Sequence, residues 1–100
     1  MGNSSGQDWP FADPKNVAVF STREISQKKK TILWVSHDSD DGAWQFTSGE
    51  NIAEIDHTIV SLERIVKIDP SVKELADLPL GWKATRENVD SPWKYLKTLH

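Results

Sequence analysis

The residues whose types and spacing could do chemistry crowd into one run, Trp34-Val35-Ser36-His37-Asp38-Ser39-Asp40-Asp41-Gly42. Asp38, Asp40 and Asp41 ahead of a glycine suggest a calcium loop, in which carboxylate and carbonyl oxygens surround the ion. That loop needs evenly alternating acids and a later bidentate glutamate. Here the third acid arrives one residue early, and Ser48 stands where the glutamate belongs. The acids therefore read as a solvated hairpin tip, and no metal is expected. His37 beside Asp38 has the makings of a base oriented by a carboxylate, since an imidazole titrates near neutral pH. The bland counterpart is a hydrogen-bonded hairpin histidine. His37, His57 and His100 lie far apart, and none has the helical partner that a two-histidine metal site requires.

Other chemistries find no support. Cysteine is absent, which removes thiol catalysis, thiolate zinc sites and disulfides. The serines lack a Gly-x-Ser-x-Gly elbow, and the glycines are isolated, so no phosphate-cradling loop exists. No catalytic residue and no cofactor are expected, and the chain reads as a non-enzyme. What remains is recognition. Trp34 is a candidate anchor for a partner, with Asp38, Asp40 and Asp41 as an acidic rim.

The elements that must position these residues follow from pattern. Thr31 to His37 and Ala43 to Ser48 are β-rich runs around the Asp41-Gly42 step, a strong hairpin signal because glycine accepts positive φ. A two-residue turn there would set His37 opposite Phe46 and Val35 opposite Ser48, with Leu33, Val35, His37, Trp44 and Phe46 on one face. Val17 to Phe20 reads as a first strand, followed by one helical turn capped by Ser21 or Thr22. Asn51 to Asp56 has apolar spacing for a single turn, and Thr58-Ile59-Val60 is β-branched and extended. Ser61 caps a helix with Leu62, Ile65 and Val66 on one face. Asp69-Pro70 starts another, since proline costs nothing at a first helical position, and Val72, Leu75 and Ala76 are its stripe. Trp82 to Glu87 alternates as a last strand, and the tail through Trp93, Tyr95 and Leu96 is too apolar to dismiss. The expectation is an α+β domain: a small antiparallel sheet of three to five strands, with its central hairpin at 31–48, packed against two short helices. Residues 1–15 are expected to be flexible, apart from Trp9 and Phe11 docking as an arm; 16–96 form the domain and 97–100 a tail.

Composition narrows the partners. The chain has 100 residues, 37% of them apolar, and a formal charge of −3, which disfavours nucleic acid. Lys28-Lys29-Lys30 is a short basic run of the kind that solvates a loop. No apolar run is long enough to span a membrane, and the first residues have neither a basic nor an apolar leader region. The start resembles a myristoylation signal, but Gly6 stands where serine or threonine is required. The expected setting is the cytoplasm. Five tryptophans are a surplus for this length, and indoles mark cores and interfaces alike.

One set of motifs carries a resemblance. Val17 to Phe20, Gly42-Ala43-Trp44-Gln45-Phe46 with Ser48-Gly49-Glu50, Val60-Ser61-Leu62, Asp69-Pro70-Ser71-Val72, Leu75, Leu78-Pro79 with Gly81, and Arg86 occur in an order similar to that of one family. It comprises small bacterial single-domain proteins of unknown function, grouped with immunity-protein-like domains found beside toxin genes. The segment Leu78 to Trp82 and the Ser91-Pro92-Trp93 motif depart from it. The resemblance implies a small α+β fold and partner binding, and it offers no catalytic residues. The leading expectation is a non-enzymatic protein-binding module, an immunity-type protein that masks a toxin or another basic partner. Two alternatives stand beside it. One is a small hydrolytic or accessory enzyme using His37 with Asp38 or Glu50; the other is a structural subunit that self-associates through its tryptophans.

Overall fold

The structure is a computed structural model that describes residues 9–49 and 56–97. Along the chain lie β1 (Ala18–Thr22), α1 (Arg23–Ser26), β2 (Trp34–His37), β3 (Trp44–Thr47), β4 (His57–Ser61), α2 (Leu62–Ile68), a 3-10 helix (Pro70–Leu75), β5 (Trp82–Thr85) and β6 (Lys94–Lys97). The strands assemble into one sheet in the order β4-β1-β3-β2-β5-β6. All neighbours are antiparallel except β1 and β3, which run parallel with Phe20 beside Gln45.

This overturns the expected sheet of three to five antiparallel strands over two helices: the sheet has six strands, is mixed, and carries three short helical segments. Two pairings account for the difference. The tail after Pro92 adds β6 to β5, and β1 slots between β3 and β4. The β1 pairings join residues far apart in sequence, and no local turn signal encodes them. The expected turn at Asn51 to Asp56 falls outside the described residues, apart from Asp56.

The hairpin at β2–β3 forms with a shifted register: His37 faces Trp44 and Val35 faces Phe46. A tight Asp41-Gly42 turn is replaced by a longer loop. It is closed by the Asp38 N–H to the Ala43 carbonyl at 2.8 Å and the Gly42 N–H to the Asp38 carbonyl at 3.0 Å. Gly42 takes the positive φ of 74° at the end of that loop. A shift of two positions preserves the side-chain faces, so Val35, Trp44 and Phe46 are buried together.

Capping sets the helix ends as the residue types require. Thr22 Oγ1 accepts the Ile25 N–H at 3.1 Å, and Ser61 Oγ accepts the Arg64 N–H at 3.1 Å. Asp69 leaves helical geometry at φ −145°, ends α2, and caps the 3-10 helix through the Ser71 N–H at 3.1 Å. Leu62, Ile65, Val72 and Leu75 pack into one core with Val19, Val35, Phe46 and Ala84. The helical segments thus cover one face of the sheet. The arm lies there too: Phe11 sits edge-on to Trp44 with centroids 5.5 Å apart, and the Trp44 indole N–H donates to Asp13 Oδ2 at 2.9 Å.

A buried ionic clamp joins the ends of several elements. Arg86 donates through Nε to the Ile32 carbonyl at 3.0 Å, through Nη1 to Ser71 Oγ at 2.9 Å, and through Nη2 to Asp69 Oδ2 at 2.5 Å. Its guanidinium lies 4.2 Å from the ring centroid of Trp93. Planar stacking plus a forked donor set is what arginine supplies and lysine does not.

Candidate functional site

Strand alternation divides β2 between the two faces of the sheet. Val35 and His37 enter the covered face; Trp34 and Ser36 go to the other, which no described helical segment packs against. On that open face Ser36 lies between Gln45 and Lys83, and Trp34 between Thr47 and Thr85. Toward the loop end, Trp34, Ser36, His37, Asp38, Ser39, Gly81 and Lys83 line a hollow of about 180 Å³. Gly81 helps to shape it. Its φ is +82°, its N–H donates to the His37 carbonyl at 2.7 Å, and an added Cβ would lie 3.4 Å from Ser39 Cβ.

The structure therefore brings Trp34, His37 and Asp38 to one hollow and leaves Asp40 and Asp41 exposed on the loop beside it. Trp34 is half-buried. The C-terminal segment is engaged elsewhere: Trp93 packs on Arg86, and the Tyr95 hydroxyl donates to the Glu74 carbonyl in the 3-10 helix at 3.3 Å. Two of the aspartates serve the loop backbone. Asp38 Oδ1 accepts the Asp40 N–H at 2.9 Å, and Asp41 Oδ1 accepts the Ala43 N–H at 3.0 Å. These are Asx turns, the local bond that favours aspartate in loops. Among the described residues no group of three His, Asp or Glu side chains is arranged to hold a metal ion.

His37 is held by something other than the expected carboxylate. Its Nδ1 lies 2.7 Å from the Leu78 carbonyl oxygen, and its ring stacks on Trp44 with centroids 3.9 Å apart. A carbonyl only accepts, so Nδ1 carries the proton and the lone pair of neutral His37 sits on Nε2. Glu50, the alternative partner, falls outside the described residues. The imidazole thus ties the loop after the 3-10 helix to β2.

The sequence pattern gives Lys83, Ser36, Ser39 and Gly81 no role at a site. The alternation of β5 does turn Lys83 away from Trp82 and Ala84, but only the pairing of β2 with β5 sets it beside Ser36. A second hollow of about 240 Å³ lies by the lysine loop, lined in part by Lys28, Lys30 and Asp69. Asp69 is already committed to Arg86, and Lys30 lies 3.5 Å from Glu24. No family model, curated protein or solved structure matches this chain.

Proposed function

We propose that this chain is a non-enzymatic protein-binding module of the immunity type, which masks a toxin in the cytoplasm by engaging it at the loop end of the open sheet face. One observation carries the reading: the half-buried indole of Trp34 forms a wall of the hollow that also holds Asp38, with Asp40 and Asp41 exposed on the adjoining loop. An aromatic anchor in a partly desolvated recess, bordered by charge, is the arrangement that concentrates binding energy in few residues. The acidic loop and the net charge of −3 favour a basic partner and speed its encounter. The toxin as partner comes from the motif resemblance. His37 serves as a tie between two segments in this reading, with no catalytic part.

The test begins with the gene neighbourhood, where an adjacent toxin gene is the expected finding, and continues with titration calorimetry and stopped-flow binding against the toxin domain found there. Trp34→Ala is expected to weaken binding by about 2 kcal/mol or more while changing stability by about 1 kcal/mol or less, the usual separation of hot spot from core. Removing the three aspartate charges is expected to slow association and flatten its salt dependence. Unchanged affinity in Trp34→Ala would remove this surface from consideration. Loss of a measurable turnover in His37→Ala, with binding intact, would transfer the assignment to an enzyme.

A further inference from the structure

The two edges of the sheet are protected very differently. At one end β6 carries Lys94 and Lys97 at its termini, a common device against unwanted strand pairing. At the other end lies β4, His57-Thr58-Ile59-Val60-Ser61, with no acidic residue, lysine, arginine or proline and three consecutive β-branched residues. Among the described residues β4 pairs with β1 alone. Ile59 is 62% exposed, and Phe20, its partner across β1, is 40% exposed. An apolar step therefore runs along the open face to an edge that no other described strand pairs.

We propose that β4 is a self-association edge, pairing antiparallel with β4 of a second copy of this chain about a two-fold axis at Ile59. The charge pattern selects a second copy. In that register Ile59 faces its own equivalent, Thr58 faces Val60, and His57 faces Ser61, so no charges of like sign oppose each other. The same operation at β6 would set Lys94 against Lys97, which strands disfavour. Pairing at β4 also joins the two apolar steps into one row, Phe20 and Ile59 of each copy, across a continuous sheet. A two-fold axis uses one patch twice, so a self-complementary strand suffices. A contact of one short strand falls at the small end of protein interfaces, and the dimer is accordingly concentration-dependent.

Because the chain has no cysteine, a single introduced thiol reports on this axis cleanly. Residues facing each other across antiparallel strands have Cα atoms about 4.5–5.5 Å apart, inside the range of about 4.4–6.8 Å that a disulfide spans. The experiment is sedimentation equilibrium of the full chain over a concentration series, with Ile59→Lys and Leu96→Lys variants, and oxidation of Ile59→Cys and Leu96→Cys. Circular dichroism checks that each variant folds; Ile59 and Leu96 are both exposed, at 62% and 47%, so neither change disturbs the core. The expected result is a mass rising from 11.3 kDa toward twice that value in the unaltered chain and in Leu96→Lys, a monomer in Ile59→Lys, and an intermolecular disulfide in Ile59→Cys. A mass that stays monomeric up to the solubility limit overturns the proposal. So does a dimer abolished by Leu96→Lys and untouched by Ile59→Lys, or a disulfide that forms in Leu96→Cys and not in Ile59→Cys under matched oxidation.

Discussion

Removing the charge of Asp69 tests the clamp built around Arg86. The side chains of Arg86 and Asp69 are 2% and 14% exposed, so water screens their interaction very little. Asp69→Asn keeps the Oδ1 acceptor at the cap of the 3-10 helix, deletes the negative charge, and sets an amide N–H donor where Oδ2 accepts from Arg86 Nη2. Arg86 would keep its bonds to the Ile32 carbonyl and Ser71 Oγ while its cation lost its counterion. Breaking a buried pair by removing one partner costs about 3–5 kcal/mol. The retained cap oxygen keeps Asp69→Asn within that range, about 3–5 kcal/mol. Asp69→Ala also loses the cap, worth about 1 kcal/mol, and should cost about 4 kcal/mol or more. Arg86→Met removes the cation and leaves Asp69 unpaired. The double variant Asp69→Asn, Arg86→Met buries no charge, so its cost should fall below the sum of the single costs by about 1–3 kcal/mol. The assay is urea unfolding followed by tryptophan fluorescence, read as a double-mutant cycle. Additivity within about 0.5 kcal/mol would refute the claim that the two charges depend on each other.

Trp44→Ala should cost about 3–5 kcal/mol in the same unfolding assay, as large aromatic truncations do, and leave too little stability to hold the fold at elevated temperature. Asp13→Ala removes the acceptor of the Trp44 indole and should loosen the arm at a cost of about 1 kcal/mol, seen as faster proteolysis near residues 9–15. Gly81→Ala forces a Cβ onto a φ of +82° beside Ser39 and should cost about 1–2 kcal/mol by thermal unfolding. Burial, and then the carboxylates of Asp77 and Glu74, raise the pKa of the Tyr95 phenol above its ordinary 10.0. The folded state then holds the proton after the unfolded chain has released it, so stability falls as pH rises through the unfolded value. Ultraviolet titration of this sole tyrosine should show the raised pKa, and Tyr95→Phe should flatten the alkaline loss of stability.

Local signals read correctly at the starts of the helical segments. Ser61 and Asp69 cap helical segments where their hydrogen-bonding oxygens predict them, and the apolar spacing of Leu62, Ile65, Val72 and Leu75 marks the buried face. The hairpin was legible in its faces but not in its register, because the Asx turns of Asp38 and Asp41 favour a longer loop over the tight Asp41-Gly42 turn. The strand count falls short at the tail, where Lys94–Lys97 adds a sixth strand to β5, and the mixed pairing is hidden by distance: nothing near Val19 announces that Gln45 and Ile59 flank its neighbour Phe20. At the candidate site, Trp34, His37 and Asp38 share a hollow as their sequence proximity allows. Lys83 joins them only through the β2–β5 pairing. The clamp was half visible, with Asp69 recognised as a cap and its charge partner Arg86 hidden by distance in the chain.

The position of β1 has a consequence for how the chain comes together in time. β1 leaves the ribosome first, yet its neighbours in the finished sheet, β3 and β4, are synthesised after it, one parallel and one antiparallel. The β2–β3 and β5–β6 hairpins need only short loops to close and can form within microseconds of emerging. β1 must wait for β3 and then for β4, so one of its edges stays unpaired until β4 has been made. Pairings of such long separation close slowly because loop entropy is lost before contacts repay it. Insertion of β1 is therefore the expected rate-limiting event of folding, and the interval before it is when the nascent chain is most open to pairing with another.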